Sequence, residues 1–503
     1  MNDYGILSIL PPILSVVLAI VTRKVILSLA LGVFLGMTIY QGFNPFQGLI
    51  SVVELGLFAQ LSKPSNAQII ILIAIIGGFV YQLEASGGME SFAKKIASKI
   101  KDPVKAQLSV WIAGLCIFFT DTGNALILGP IFQPIFIELK ICKEKLAYII
   151  DSTSSPICVL IPVIGWGVYI MSLMEQSFAQ ISNQENVLDA FLNVIPYQFY
   201  PLLALASVPI LALTKKDYGP MAIAQKTVYY TKNDDKKKES PLKQKLPNGD
   251  AKTIIFPLCA MFCVLGGLFF YYYWTIGSLP GSKIRTALFI AYFIGAVVCT
   301  ILLKVQKVRT LKESLGAFLK GMERMLFIII VMLLAWSLGD VCKLLHTTHF
   351  ISNLVGGTLP PAILPALLFC LGAIISLSTG SSYGTFAILM PIAIPVAYEI
   401  NAPMYITIAG VLSGGILGDH SSPISDTTIL SSMSTGCKHA DHVNTQLPYA
   451  LLTGSAALIS FIIAGITQSY YSLLFGIVFL TGLIMLIMRL FGKSLKGTSK
   501  IVR

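Results

Sequence analysis

Three short stretches of the chain set carboxylates beside hydroxyls and prolines, a combination suited to handling a small cation or a proton. The densest is Gly418-Asp419-His420-Ser421-Ser422-Pro423-Ile424-Ser425-Asp426-Thr427-Thr428, with two carboxylates, one imidazole and five hydroxyls behind a glycine-rich run. Asp419 and Asp426 are seven residues apart, so a continuous helix would place them roughly on one face. Pro423 lies between them and predicts that the helix opens, exposing carbonyls beside Ser422 and Ser425. Hard oxygen ligands of this kind suit sodium or protons better than transition metals. Asp419 and Asp426 are therefore the expected Na+ ligands, with Ser421, Ser422, Ser425 and Thr427 as neutral partners. His420 adds a proton-passing group at most.

The second stretch, Asp121-Thr122-Gly123-Asn124, lies between the apolar runs Cys116–Phe119 and Ala125–Leu128. A carboxylate, a hydroxyl and an amide around a glycine suit an unwound segment offering oxygens to a cation. They suit a helix cap equally well. The third, Asp151-Ser152-Thr153-Ser154-Ser155-Pro156, reads as a helix broken at proline, with Ser154 and Ser155 able to satisfy the freed backbone. A fourth segment, Ser376–Thr385, has no acid but is rich in hydroxyls, Ser378, Thr379 and Ser381 among them. It offers a neutral surface for an ion or for the head group of a small organic solute. Asp340 follows the apolar run 325–338, near Lys343, His346 and His349. It reads either as part of a proton path or as an interfacial partner of Lys343.

The elements that hold these groups are membrane helices. The 503 residues are 55% apolar and only 12% charged, where soluble proteins carry about 25% charged residues. Many apolar runs approach the ~20 residues needed to span a bilayer. Spans are expected near 5–22, 25–40, 66–83, 106–120, 146–174, 191–214, 254–276, 286–303, 325–339, 361–377, 403–418, 446–466 and 472–488. The stretches 124–137 and 382–398 are half-helices or further spans. The fold class is thus an all-α polytopic membrane protein of roughly 11–14 membrane segments.

The net charge of +12 calls for no nucleic acid, because the lysines gather in short loops as the positive-inside rule expects. Arg23-Lys24, Lys94–Lys101, Lys140–Lys145, the loop holding Lys304 to Arg324 and the tail from Lys493 all read as cytoplasmic. So does the loop 215–252, with ten lysines against five acids. The segment 175–190, with three acids and no base, reads as external. These assignments put the N-terminus outside and the C-terminus inside. Nine cysteines without a CxxC pair support neither a disulfide framework nor a zinc site. There is no HExxH or GxGxxG motif, and Ile487 stands where a P-loop ending in Gly492-Lys493-Ser494 needs glycine.

The two halves resemble each other. Thr122-Gly123 precedes Pro134-Ile135 by the same interval that separates Thr379-Gly380 from Pro391-Ile392, and Ser154-Ser155-Pro156-Ile157 has a counterpart in Ser421-Ser422-Pro423-Ile424. This alignment puts Ser378 in the place of Asp121 and Ser381 in that of Asn124. With the charge-based topology the repeats run oppositely, the inverted-repeat, broken-helix design of many secondary transporters. The expected divisions are N-terminal spans (1–65), a first transport repeat (66–214), a basic linker (215–253), connecting spans (254–324), a second repeat (325–488) and a basic tail (489–503).

The stretch Gly418–Ser432, reading GDHSSPISDTTILSS, resembles the signature of the NhaC family of sodium/proton antiporters. Ala335–Lys343 and the run FFTDTGNALILGP from Phe118 are similar to that family too. The resemblance implies a bacterial inner-membrane secondary transporter with inverted repeats and helical hairpins. It implies no resident cofactor, Na+ and H+ being what is moved, and a lipid bilayer as the surrounding partner. It leaves open whether the chain forms an oligomer. Members of that family also move organic acids or amino acids with sodium or protons, so two readings stand: Na+/H+ antiport, or coupled transport of a small organic solute.

Overall fold

The computed structural model describes residues 4–97, 100, 102–181, 183, 185–230, 249–347, 349–351 and 360–494. The centre of the basic linker, Lys99, Lys101 and the tail after residue 494 lie outside these residues. The long apolar runs fold as helices because, in hydrocarbon, a helix satisfies every backbone group within its own segment. Among the described residues eight helices are long and apolar enough to cross a membrane, and up to ten if each of two sharply bent pairs is one span. The larger number expected from sequence included the interrupted pieces, which fall outside that test.

Helices α1 (Leu10–Thr22) and α2 (Val25–Tyr40) form the N-terminal hairpin. The chain then bends by 117° into the segment 45–62, made of α3 (Pro45–Ser51), a π-helical stretch and α4 (Ala59–Ser62). The sequence reading missed this segment. There follow α5 (Pro64–Glu84), α6 (Gly88–Ala97), α7 (Pro103–Cys116), α8 (Asp121–Glu138) and α9 (Lys143–Ser152). The expected single span 146–174 is in fact broken into α9, the short α10 (Ser155–Cys158) and α11 (Gly165–Gln180). Pro156 and the hydroxyl run before it account for the break.

Helices α12 (Val187–Val194) and α13 (Phe199–Thr214) form a second bent pair. A two-residue strand β1 (Lys216–Asp217), α14 (Gly219–Tyr230), α15 (Lys252–Ile276) and α16 (Gly281–Val305) lead to α17 (Leu311–Arg324). The last of these turns the presumed basic loop after residue 304 into a capped helix, with Thr310 and Glu313 forming a capping box. The second half holds α18 (Leu326–Leu344), α19 (Leu364–Thr379), α20 (Ser382–Glu399), α21 (Met404–Ser421), α22 (Asp426–Thr435), α23 (His439–Thr467) and α24 (Ser472–Leu490). Strand β2 (Lys493–Ser494) pairs antiparallel with β1.

The helices repeat at a constant interval. Leu364 follows Pro103, Ser382 follows Asp121 and Met404 follows Lys143, each by 261 residues and each opening its helix. The half-helices α8 and α20 are both 18 residues long and both carry two internal prolines, Pro130 and Pro134 in one, Pro391 and Pro395 in the other. Each is followed by a left-handed residue, Lys140 or Asn401, at the same interval. The repeat is therefore real, but its register differs by one helical turn from the dipeptide alignment. Asp121 corresponds to Ser382, not Ser378, and Asn124 to Thr385, not Ser381.

Glycines set the height of the central helices. A Cβ on Gly414 would sit 2.3 Å from the Phe369 carbonyl oxygen, and one on Gly418 would sit 2.4 Å from that of Ala373. Small residues every fourth position let α21 lie directly on α19, the close approach typical of helices in lipid. This contact fixes the end of α21, where Asp419 stands.

Candidate ion site

Each half ends a helix in a carboxylate and breaks immediately after it, and each carboxylate is held by a hydroxyl from the other half. Asp419 lies near the end of α21 and is 5% exposed. Its Oδ2 accepts a hydrogen bond from Ser155 of the first half at 3.1 Å, and its Oδ1 accepts one from Ser425 at 2.9 Å. The Ser425 and Thr427 hydroxyls are 3.1 Å apart. Asp151 lies near the end of α9 and is 1% exposed. Its Oδ2 accepts from Thr428 of the second half at 3.2 Å and from Gln446 at 2.6 Å. The His442 Nε2 is 3.5 Å from the same oxygen. Asp151 Oδ1, Ser421 Oγ and Gln446 Oε1 are buried without a hydrogen-bond partner among the described residues. Groups so placed in a buried site call for water or an ion.

His420 is buried with both ring nitrogens occupied: Nε2 lies 3.2 Å from Ser152 Oγ and Nδ1 lies 2.7 Å from Tyr200 OH. Its carbonyl accepts from Gln446. The imidazole therefore links α9 and α13 to the end of α21.

Several expected residues hold the backbone and do not meet the acids. Asn124 donates to the carbonyls of Gly114 at 3.0 Å and Thr153 at 2.9 Å, pinning α7 and the α9 break to α8. Ser154 bonds back to the Ile150 carbonyl, and Ser378 and Thr379 bond to the Ile374 and Ile375 carbonyls within α19. Ser422 donates to the Leu377 carbonyl at 2.8 Å, tying the two breaks of the second half together. Ser381 caps α20 by accepting from the Gly384 amide.

Asp121, in the first turn of α8, is half-buried, and its Oδ1 accepts from the Thr122 amide at 2.7 Å. Thr122 is also half-buried. Asp426 is exposed at the start of α22 and lies outside the hydrogen bonds to Asp419. Asp340 pairs with Lys63 at 3.2 Å and also accepts from Gln60 at 2.6 Å and Gln176 at 3.1 Å. The expected Lys343 partner is thus replaced by groups from α4, α11 and the turn before α5. Lys145, expected in a basic loop, is buried against Asp217.

The sequence reading did not find Glu84, His442, Gln446 or Tyr200. Glu84 is the one charged residue of α5, which was the one available signal. His442 and Gln446 lie one turn apart at the start of α23, four residues being the spacing of one helix face. Tyr200 had none.

The comparisons agree with this architecture. A family profile described as the Na+/H+ antiporter family matches residues 157–466. The chain belongs to that family. An uncharacterized protein of Haemophilus influenzae is 30% identical over 478 residues, covering 92% of this chain and 91% of its own length. The malate-2H(+)/Na(+)-lactate antiporter of Bacillus subtilis is 27% identical over 190 residues, 36% of this chain and 38% of that protein. Among solved structures, the YdaH transporter of Alcanivorax borkumensis matches with a TM-score of 0.59 at 15% identity, over 84% of this chain and 88% of that one. At that identity the likeness is one of fold. This member of the antiporter family is a multi-pass membrane protein and a secondary transporter, not an enzyme.

Proposed function

We propose that the chain exchanges Na+ for H+, with Asp419 as the carboxylate for which the two compete. The observation that supports this reading is the buried Asp419 held by hydroxyls from both halves, Ser155 on one side and Ser425 on the other. A bare carboxylate buried in a low-dielectric interior costs several kcal/mol. Asp419 is therefore stable when it carries a proton or faces a cation, and one site cannot hold both. Ser155, Ser425 and Thr427 supply the neutral oxygens for sodium. Asp121, half-buried at the start of α8, and Asp426, exposed at the start of α22, draw cations toward the interface between halves. Rocking of one half against the other exposes the site alternately to the two sides. The proposal sets the protein in a bacterial inner membrane, N-terminus outside and C-terminus in the cytoplasm.

The test is proton flux out of sealed proteoliposomes on addition of external Na+ alone. Sodium-driven flux in the wild type, absent in a folded Asp419→Asn variant, supports the reading. Flux retained by that variant removes Asp419 from the mechanism. A second reading, coupled transport of a small organic acid or amino acid, is favoured by the likeness to a protein named for malate and lactate. It predicts silence until such a solute is supplied.

A further inference from the structure

Glu84 ends α5 with its carboxylate turned toward the start of α8. Its Oε1 accepts a hydrogen bond from Thr120 Oγ1 at 2.6 Å, and its Oε2 lies 3.4 Å from Arg324 Nη1. The glutamate side chain is 14% exposed and the arginine 50%, so the pair runs from the protein surface inward. Gly123 makes room for this approach: a Cβ there would fall 2.8 Å from Glu84 Oε1.

A carboxylate near a helix N-terminus stabilises the helix dipole, so Glu84 could serve only as a cap. The second half argues against that. There Ser381 and Gly384 build the matching N-terminus of α20 with the same hydroxyl-to-amide bond, 3.2 Å against 3.1 Å for Thr120 and Gly123. At the 261-residue interval the position of Glu84 is taken by Leu345, which is buried. The same cap forms without an acid, and the acid is an addition peculiar to the first half.

The charged groups around Glu84 point the same way. Arg324 lies over the Tyr81 ring at 4.1 Å, Lys320 approaches that ring at 5.9 Å, and Arg309 donates to the Ala85 carbonyl at 3.0 Å. On the inner side Asp121 directly follows Thr120, whose hydroxyl bonds Glu84. A basic surface that meets water thus faces one carboxylate oxygen, and the half-helix carrying Asp121 faces the other.

We propose that Glu84 is a second proton-carrying group of the transporter, loaded from water on the Arg324 side and discharged toward Asp121 beside the Thr120 hydroxyl. Each discharge leaves Glu84 a carboxylate and Asp121 an acid, and a hydronium ion from the Arg324 side reprotonates Glu84 and leaves as water. The proposal rests on the proton-coupled reading above.

The experiment compares wild type, Glu84→Gln and Glu84→Asp in proteoliposomes by two measurements. One is Na+-driven H+ flux across a range of pH; the other is exchange of tracer Na+ for Na+, which needs no net proton transfer. The expected result is that Glu84→Gln keeps sodium exchange within about twofold, loses tenfold or more of the proton flux and flattens its pH profile, with Glu84→Asp restoring most of it. Unchanged proton flux and pH profile in Glu84→Gln overturn the proposal and leave antiport standing. Equal loss of both fluxes, not restored by Glu84→Asp, makes Glu84 a structural cap and also overturns it. Wild-type vesicles without any sodium-driven proton flux fail the antiport reading and take this proposal with it.

Discussion

Thr120 and Ser381 hold the same position in two helices of the same length, each hydroxyl accepting from the amide of a glycine three residues on. They differ in what else they do, since Thr120 also donates to Glu84. Loss of a cap hydroxyl costs about 1 kcal/mol. Ser381→Ala is therefore expected to lower the thermal unfolding midpoint slightly, with an unchanged pH profile of transport. Thr120→Ala should destabilise to a similar degree and alter that profile as well, with Thr120→Ser restoring both. Identical transport phenotypes for the two alanine variants would show that the Glu84 contact has no transport role.

The hydroxyls around Asp419 predict a graded effect on sodium. Hydrogen bonds to charged groups contribute about 1.5–3 kcal/mol, and about 1.4 kcal/mol is tenfold in affinity. Ser155→Ala and Ser425→Ala should each raise the half-saturating Na+ concentration by roughly ten- to a hundredfold. Ser378→Ala, whose hydroxyl is taken by the Ile374 carbonyl, should leave it unchanged. Sodium titration of transport rate by the purified variants decides this, and a larger effect at Ser378 than at Ser155 would move the site to the other break.

The acids and the breaks were legible in the sequence because both announce themselves locally. A carboxylate within an apolar run is costly, and proline disrupts a helix wherever it falls in its interior. Partners arriving from elsewhere were not legible. Lys63 reaches Asp340 across 277 residues and Gln446 reaches Asp151 across 295, and no local pattern encodes either contact. The repeat was visible yet slipped by a turn, for a physical reason. Each half-helix has two prolines four residues apart, so matching Pro134 to Pro391 pairs the second proline of one with the first of the other. The capping residues Thr120 and Ser381, which set the true register, share only a hydroxyl.

The crossing of α8 over α22 leaves no room for a side chain. A Cβ on Gly129 would lie 2.3 Å from Ser434 Oγ and 2.6 Å from the Ser434 carbonyl carbon. Overpacking of this kind typically costs about 1–3 kcal/mol. Gly129→Ala is expected to lower the unfolding midpoint and slow transport, because this contact joins the two halves. Ser434→Gly should not rescue it, since the backbone carbon remains in the way. Rescue in a thermal melt of the double variant would mean that only the serine side chain sets the spacing.

Lys145 and Asp217 form a buried ion pair with 3% and 1% of their side chains exposed, and Tyr449 OH donates to Asp217 at 2.9 Å. The pair anchors the start of the linker between α9 and α23. Removing one member strands the other charge away from water, at a cost of about 3–5 kcal/mol. Replacing both by apolar residues removes the desolvation penalty together with the attraction, and is often neutral. Lys145→Met should therefore be strongly destabilising. Lys145→Met with Asp217→Leu should recover much of the loss, apart from the bond to Tyr449. Unfolding midpoints in one detergent check both, and a double variant less stable than Lys145→Met alone would show that the Asp217 contacts outweigh its unpaired charge.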